Sequence, residues 1–415
     1  MQRIVILLVA AAALLAAAAP AHASPYVRYG IQDDAWLEFG EGTLEGRLET
    51  LEALGADLVR VTLNWDVIEP RRGQRDWTRA DALLRGLHEH GLTPVVTLYG
   101  TPRWANGGRA RNWAPTRGAT FAAFAAAAAK RYPFVKRWLI WNEPNQRRWL
   151  RPTTPVTYVT KLLNPAYMAI KRANRGAKVG GGVTAPRGGS GGVSPVAWIR
   201  GMARARARLD AYAHHPYPLR RGETPTTGGC GHCETITMAT LDRLLRHVSN
   251  AFGRTRIWLT EYGYQTNPPD RVLGVSRALQ ARYLAEAAHR AYRAPRVDML
   301  IQYLYRDEPD TARWQSGLVT VSGAAKPALR AYRLPLAQVS RRGLRTVVWG
   351  QVRTGPGRER YILQQFRNGR WRSVGGVRRT TPRGYLTRTL RAGKGSKLRL
   401  YSPTTGVASP ILAVR

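Results

Sequence analysis

The chain has 415 residues, 44% of them hydrophobic and 22% charged, a composition that fits a folded globular protein larger than one ordinary domain and excludes a disordered tail or a fibre. A formal charge of +39 would ordinarily point to nucleic acid. All but eight of the 65 basic residues are arginine, and they are scattered along the chain with no stripe of interleaved aromatic platforms, so a nucleic-acid partner is not expected. The load of arginine, alanine, glycine and proline instead matches the coding bias of a GC-rich genome, and its charge favours long-range attraction to acidic surfaces such as a cell wall or a uronic-acid polymer.

At the start, Met1-Gln2-Arg3 gives a positive end. An apolar run follows, and then Ala21-His22-Ala23 supplies a small-residue cleavage pattern. Residues 1–23 read as a secretory signal peptide, with a membrane anchor as the alternative. No later segment is apolar and long enough to span a bilayer. The mature chain is therefore expected from residue 24, outside the cell and not inserted in the membrane.

Strand-like and helix-like runs then alternate. Strands are expected at 27–31, 58–63, 94–99, 137–141, 179–184, 211–214, 256–261 and 297–304. Amphipathic runs predict helices at 44–54, 79–90, 120–132, 158–172, 196–208, 238–252, 275–293 and 324–332. Ser194-Pro195 offers a helix start, Gly55 and Gly91 offer helix stops, and Asp76 precedes the helix at 79. Eight such units between residues 24 and 336 predict a (β/α)8 TIM barrel, an α/β fold whose chemistry sits at the C-terminal ends of the strands.

From residue 337 the texture changes to short alternating runs such as 346–349, 361–366 and 398–401, with a hairpin signal at Asn368-Gly369. A small all-β sandwich over 337–415, similar to immunoglobulin or fibronectin modules, is expected. Its Trp349, Trp371 and Tyr401 either fill a core or offer a sugar-stacking face, and core is the expectation.

Two glutamates end two of the eight strand runs. Glu143 lies in Trp141-Asn142-Glu143-Pro144-Asn145 after the fourth, and Glu261 lies in Thr260-Glu261-Tyr262-Gly263 at the end of the seventh. A buried carboxyl needs a partner or a task. Two carboxyls flanking one bond are what glycoside hydrolysis requires, and strands four and seven face each other across a barrel mouth. Asn142 has the short amide needed to hold a sugar 2-hydroxyl. Trp65, Trp104 and Trp113 follow strands two and three and either stack on sugar rings or fill the core; Trp104 is the one taken as a substrate-binding candidate.

With these residues in place, the chain from about residue 29 to 332 resembles the glycoside hydrolases of clan A, families 5 and 39 in particular. The resemblance implies Glu143 as acid/base, Glu261 as nucleophile and Asn142 as the 2-hydroxyl partner, in a retaining double displacement on a β-linked oligo- or polysaccharide. It implies that Arg60, in Val59-Arg60-Val61, supports the nucleophile. His214-His215-Pro216-Tyr217 is similar to the clan's His-x-Tyr and so puts His215 and Tyr217 beside the glutamates, while His214 is expected to be structural. On strand eight the clan's tryptophan is replaced by Tyr303 and Tyr305, of which Tyr303 is the candidate platform. Family 5 members commonly carry a histidine near the end of strand three, and its absence here favours the family 39 side. No cofactor and no metal site are expected, and the chain is expected to act as a monomer outside a bacterial cell. The alternative is an inactive carbohydrate-binding barrel.

Cys230 and Cys233, in Cys-Gly-His-Cys, are the two cysteines of the chain. Thiol oxidoreductases share this spacing, but their strand-turn-helix setting is missing here, so a local disulfide is expected, with redox or metal roles as alternatives.

Overall fold

The computed structural model describes residues 24, 26–353, 355 and 357–415; the expected signal peptide at 1–23 lies outside them. Eight parallel strands, β1 (Arg28–Gln32), β2 (Leu58–Asn64), β3 (Thr93–Tyr99), β4 (Arg137–Ile140), β5 (Lys178–Thr184), β6 (Ala211–His214), β7 (Arg256–Tyr262) and β8 (Val297–Tyr303), form a closed barrel in chain order. β1 closes the ring on β8, with Gly30 opposite Ile301.

Helices ring the barrel where the apolar spacing places them, among them Leu44–Leu54, Thr78–Glu89, Gly118–Arg131 and Arg277–Arg293. Ser194 caps the helix that starts at Pro195 by accepting from the Ala197 N–H, and Gly55 takes the left-handed conformation that ends Leu44–Leu54. The single helix expected at 158–172 is instead three pieces, Pro155–Tyr158, a π-turn Val159–Leu163 and Asn164–Ala173. Pro165 has no N–H to donate to an i−4 carbonyl, so the wider turn lies just before it.

Inside the barrel, alternate residues point to the axis. Leu58, Val95, Leu139, Trp258, Met299 and Ile301 make a dry lower layer, and two residues further along β2 and β3 come Arg60 and Thr97. Gly180 on β5 is required by this filling, because a Cβ there would stand 2.7 Å from the Trp258 ring and 2.8 Å from Leu139.

Beyond the barrel, β9 (Leu336–Arg342), β10 (Arg345–Gln351), β11 (Arg360–Arg367), β12 (Arg370–Ser373), β13 (Arg378–Arg379), β14 (Tyr385–Arg391), β15 (Lys397–Ser402), β16 (Val407–Ala408) and β17 (Leu412–Ala413) form two antiparallel sheets. One runs β14-β10-β9, and the other runs β12-β11-β15-β16 with β13 and β17 attached. Leu336, Val348 and Leu386 from the first meet Leu363, Leu398 and Leu400 from the second in a shared core, the packing of a sandwich. Asn368 and Gly369 both take positive φ between β11 and β12, as their hairpin signal predicts.

The outer face of the three-stranded sheet is not free. Trp349 and Tyr385 pack on Tyr292 of the helix Arg277–Arg293, and the Tyr385 hydroxyl donates to the Val27 carbonyl at 3.0 Å. Arg353 lies 3.7 Å over the Tyr29 ring. Trp349 is therefore core, whereas Trp371 is half-buried beside the exposed Phe366 and under Arg399.

Candidate active site

Backbone at the C-terminal rim of the barrel is shaped for display. Trp141 and Glu143, just past β4, take φ of 71° and 39°, conformations that non-glycine residues rarely hold without surrounding support. The support is visible. Trp141 donates its indole N–H to the Trp149 carbonyl at 2.8 Å, and Asn145 ties the segment to the next loop by accepting from the Ala185 N–H at 2.9 Å. On β7 the register against β8 shifts between Leu259 and Tyr262, a bulge that re-aims Glu261.

Arg60 is the hub. It is about 1% exposed, and its Nη1 donates to Glu261 Oε1 at 2.5 Å and to Gln32 Oε1 at 2.7 Å, while Nη2 donates to Asn142 Oδ1 at 2.9 Å and Nε to Thr97 Oγ1 at 3.0 Å. The Asn142 amide oxygen is thus occupied and its NH2 is left for the cleft. Tyr217 donates to Glu261 Oε2 at 3.1 Å, and burial together with that carboxylate holds its phenol protonated, far above its ordinary pKa.

His215 bridges the two carboxyls. Its Nε2 lies 3.3 Å from Arg60 Nη1, and its Nδ1 faces the glutamates. That Nδ1 is 3.1 Å from Glu143 Oε1 and 3.4 Å from Glu261 Oε2. Burial pushes the imidazole down to about 3, partly offset by Glu261 and reinforced by Arg60, so it is neutral at physiological pH. Burial pushes Glu143 up to about 7, against the opposing charges of Arg148 and Arg60 and the indole of Trp149. His214 faces away, holding Thr184 Oγ1 at 2.8 Å and the Ile236 carbonyl at 3.0 Å, a buried structural imidazole.

Glu143, His215 and Glu261 each offer a ligand atom, all within 4.8 Å of one another, a spacing that a metal ion can bridge. The Arg60 guanidinium, in contact with Glu261 and His215, already supplies positive charge at that point.

The cleft above, about 280 Å³, is lined by Asn142, Glu143, Glu261, Tyr217 and Tyr303, with Gln32, Asp34, Thr62 and Asn64 on one side and Tyr99, Arg111, Arg148, Trp149 and Trp314 completing it. The structure thus brings together Arg60, Asn142, Glu143, His215, Tyr217, Glu261 and Tyr303. Trp104 is not among them. Its ring packs edge-on against Trp65 at 5.5 Å and its indole N–H donates to the Glu69 carbonyl, so it buttresses the loop after β2. Trp65 is fully buried, Trp113 lies under Arg109, and Tyr305 packs on Trp36.

Two aromatic walls of the cleft escape sequence reasoning. Trp149 follows Glu143 by six residues. Trp314 comes from the loop after β8 and packs against Tyr217 at 4.7 Å and Tyr303 at 5.5 Å. Its loop is anchored by Lys326, whose Nζ donates to Asp307 Oδ1 at 2.7 Å and to Thr266 Oγ1 at 3.0 Å. The one available signal was an isolated tryptophan in a loop after the eighth strand. Cys230 and Cys233 are joined as a disulfide in the segment between β6 and the helix Leu241–Phe252.

No protein-family profile matches the chain, and no curated protein matches it in sequence. In structure it is similar to a family 39 glycoside hydrolase from Bacteroides cellulosilyticus, with 18% identity, 90% of this chain and 80% of that chain covered, and a TM-score of 0.64. It is also similar to a monomeric β-xylosidase from Caulobacter crescentus, with 16% identity, coverage of 90% and 95%, and a TM-score of 0.60. A family 5 enzyme from Streptomyces cattleya, solved in complex with Manβ1-4GlcNAc, matches at 20% identity, coverage of 74% and 79%, and a TM-score of 0.57. These likenesses, with the closed eight-stranded barrel and the attached antiparallel sheets, give this chain the fold of the clan A glycoside hydrolases.

Proposed function

We propose that the chain is a secreted glycosidase that hydrolyses a β-linked oligo- or polysaccharide with retention of configuration, through Glu143 as acid/base and Glu261 as nucleophile. The observation that carries this reading is the short approach of the two carboxyls, with an oxygen of each within 4.8 Å of the other across a sugar-sized cleft. So short an approach favours the retaining arrangement, in which no water has to fit between the two carboxyls.

The two environments divide the labour. Glu143, held protonated by burial up to about pH 7, can deliver a proton to the departing oxygen. Glu261, in contact with Arg60 and Tyr217, presents a carboxylate to the anomeric carbon. Attack forms a glycosyl ester at Glu261 as the C–O bond to the leaving group breaks and that oxygen takes the Glu143 proton. Water, losing a proton to Glu143, then attacks the same carbon and frees Glu261. Asn142 would hold the 2-hydroxyl with its free NH2, and Tyr303 with Trp314 would face the sugar ring. His215, neutral, would orient both carboxyls.

The signal-peptide pattern and the disulfide support secretion, and the excess of arginine supports an acidic polysaccharide or cell-wall glycan as the natural target. Replacing Glu261 by alanine should abolish turnover of aryl β-glycosides. Azide should restore it, giving a glycosyl azide of inverted configuration that NMR identifies. Turnover by Glu261→Ala at the wild-type rate without azide would end the assignment.

A further inference from the structure

The cleft has a basic wall on one side only. Arg111, between β3 and the helix Gly118–Arg131, and Arg148, in the loop after β4, both line it. Arg111 is committed within the protein, since its Nη2 donates to Asn64 Oδ1 at 2.5 Å and to Asp66 Oδ1 at 2.9 Å. Arg148 is different. Among the described residues its guanidinium makes no hydrogen bond and no ion pair, and it lies 5.0 Å over the Trp149 ring.

The chemistry says which half of a substrate meets this wall. The proton donor stands beside the leaving group, and Arg148 and Trp149 come from the same loop as Glu143. Arg148 is the largest of the charges acting on the Glu143 carboxyl. The opposite half is aromatic and, among the residues lining the cleft, carries no basic side chain, with Tyr217 on Glu261 and Tyr303 and Trp314 against Tyr217. A guanidinium over an indole face with its N–H groups unpaired is available to pair with a carboxylate or a sulfate.

Resting on the glycosidase reading above, we propose that Arg148 is the specificity-determining residue of the leaving-group side, and that it selects substrates whose leaving sugar carries an anionic substituent, a carboxylate or a sulfate ester. Asp34, the remaining acidic residue lining the cleft, is held by the Thr62 N–H at 2.7 Å and by Gln32 Nε2 at 3.1 Å.

The test is a calorimetric titration of the full chain with D-glucuronate, glucose 6-sulfate and glucose at physiological salt. It is repeated on Arg148→Gln and on Arg372→Gln, a remote exposed arginine on β12 that controls for net charge. At least one anionic sugar should bind roughly ten- to hundredfold tighter than glucose, the range of a charge-assisted hydrogen-bond pair. Which one it is separates carboxylate from sulfate. Arg148→Gln should remove that preference and Arg372→Gln should keep it. Equal binding of glucose and both anions, or indistinguishable behaviour of the two variants, overturns the proposal. Aryl β-glycoside hydrolysis is scored separately, so a protein that binds the anions through Arg148 but turns nothing over sinks the hydrolytic reading alone.

Discussion

Glu143 is the residue whose environment has the most measurable consequence. Burial raises its carboxyl from 4.5 to about 7. In the proposed role of proton donor it must be protonated, so under that proposal kcat/KM on substrates with poor leaving groups should fall as pH rises through about 7, and Glu143→Gln should lose that basic limb. The same shift is linked to stability. The folded state binds the proton more tightly than the unfolded state, so the stabilisation is full below pH 4.5 and is lost as pH rises toward 7. Glu143→Gln should therefore melt higher than wild type at pH 8, by about 1–3 kcal/mol, and show little gain at pH 4. Equal melting of the two proteins at pH 8 would show that the burial cost is absent. Both glutamates were legible in the sequence, because a charge ending an apolar strand needs a reason. Trp149, Trp314, Arg111 and Arg148 were not, since loop residues carry no periodicity and their position depends on where the loop is pinned, as by Lys326 and Asp307. Trp104 misled for the same reason: its type suits a sugar, but its loop turns the ring onto Trp65.

At the scale of the element, the strands were legible because each is a short apolar run set between helix-period segments, and their observed ends differ from the expected ones by a residue or so. The short helices Asp34–Phe39 and Trp65–Ile68 were missed because one to two turns show too little periodicity, and β9 was missed because its outer half is arginine-rich and exposed. The glycines of β5 were visible as a run, but their cause lay two strands away. Trp258 from β7 fills the axis where a side chain at 180 would stand. Gly180→Ala should thus destabilise the fold by about 1–3 kcal/mol in chemical denaturation. Combining it with Trp258→Phe should recover part of that loss, whereas simple additivity would mean that the two positions do not compete for space.

The whole molecule is one packed body more than two tethered ones. Trp349, about 1% exposed, stands 5.4 Å from Tyr292 and 5.3 Å from His289, both on a barrel helix. Trp349→Ala should cost roughly 3–5 kcal/mol, and both layers should still melt in a single transition. A second, separate transition would show that the sheets and barrel unfold independently. The change of texture near residue 337 was legible, but this adhesion was not, because alternation tells which residues turn inward without telling what they meet.

The grip of the last module on the first strand has one more outcome. Tyr385 holds the carbonyl of Val27, and Arg353 sits on Tyr29. A ribosome delivers these partners more than three hundred residues apart, so β1 waits for its clasp until nearly all of the polypeptide has emerged.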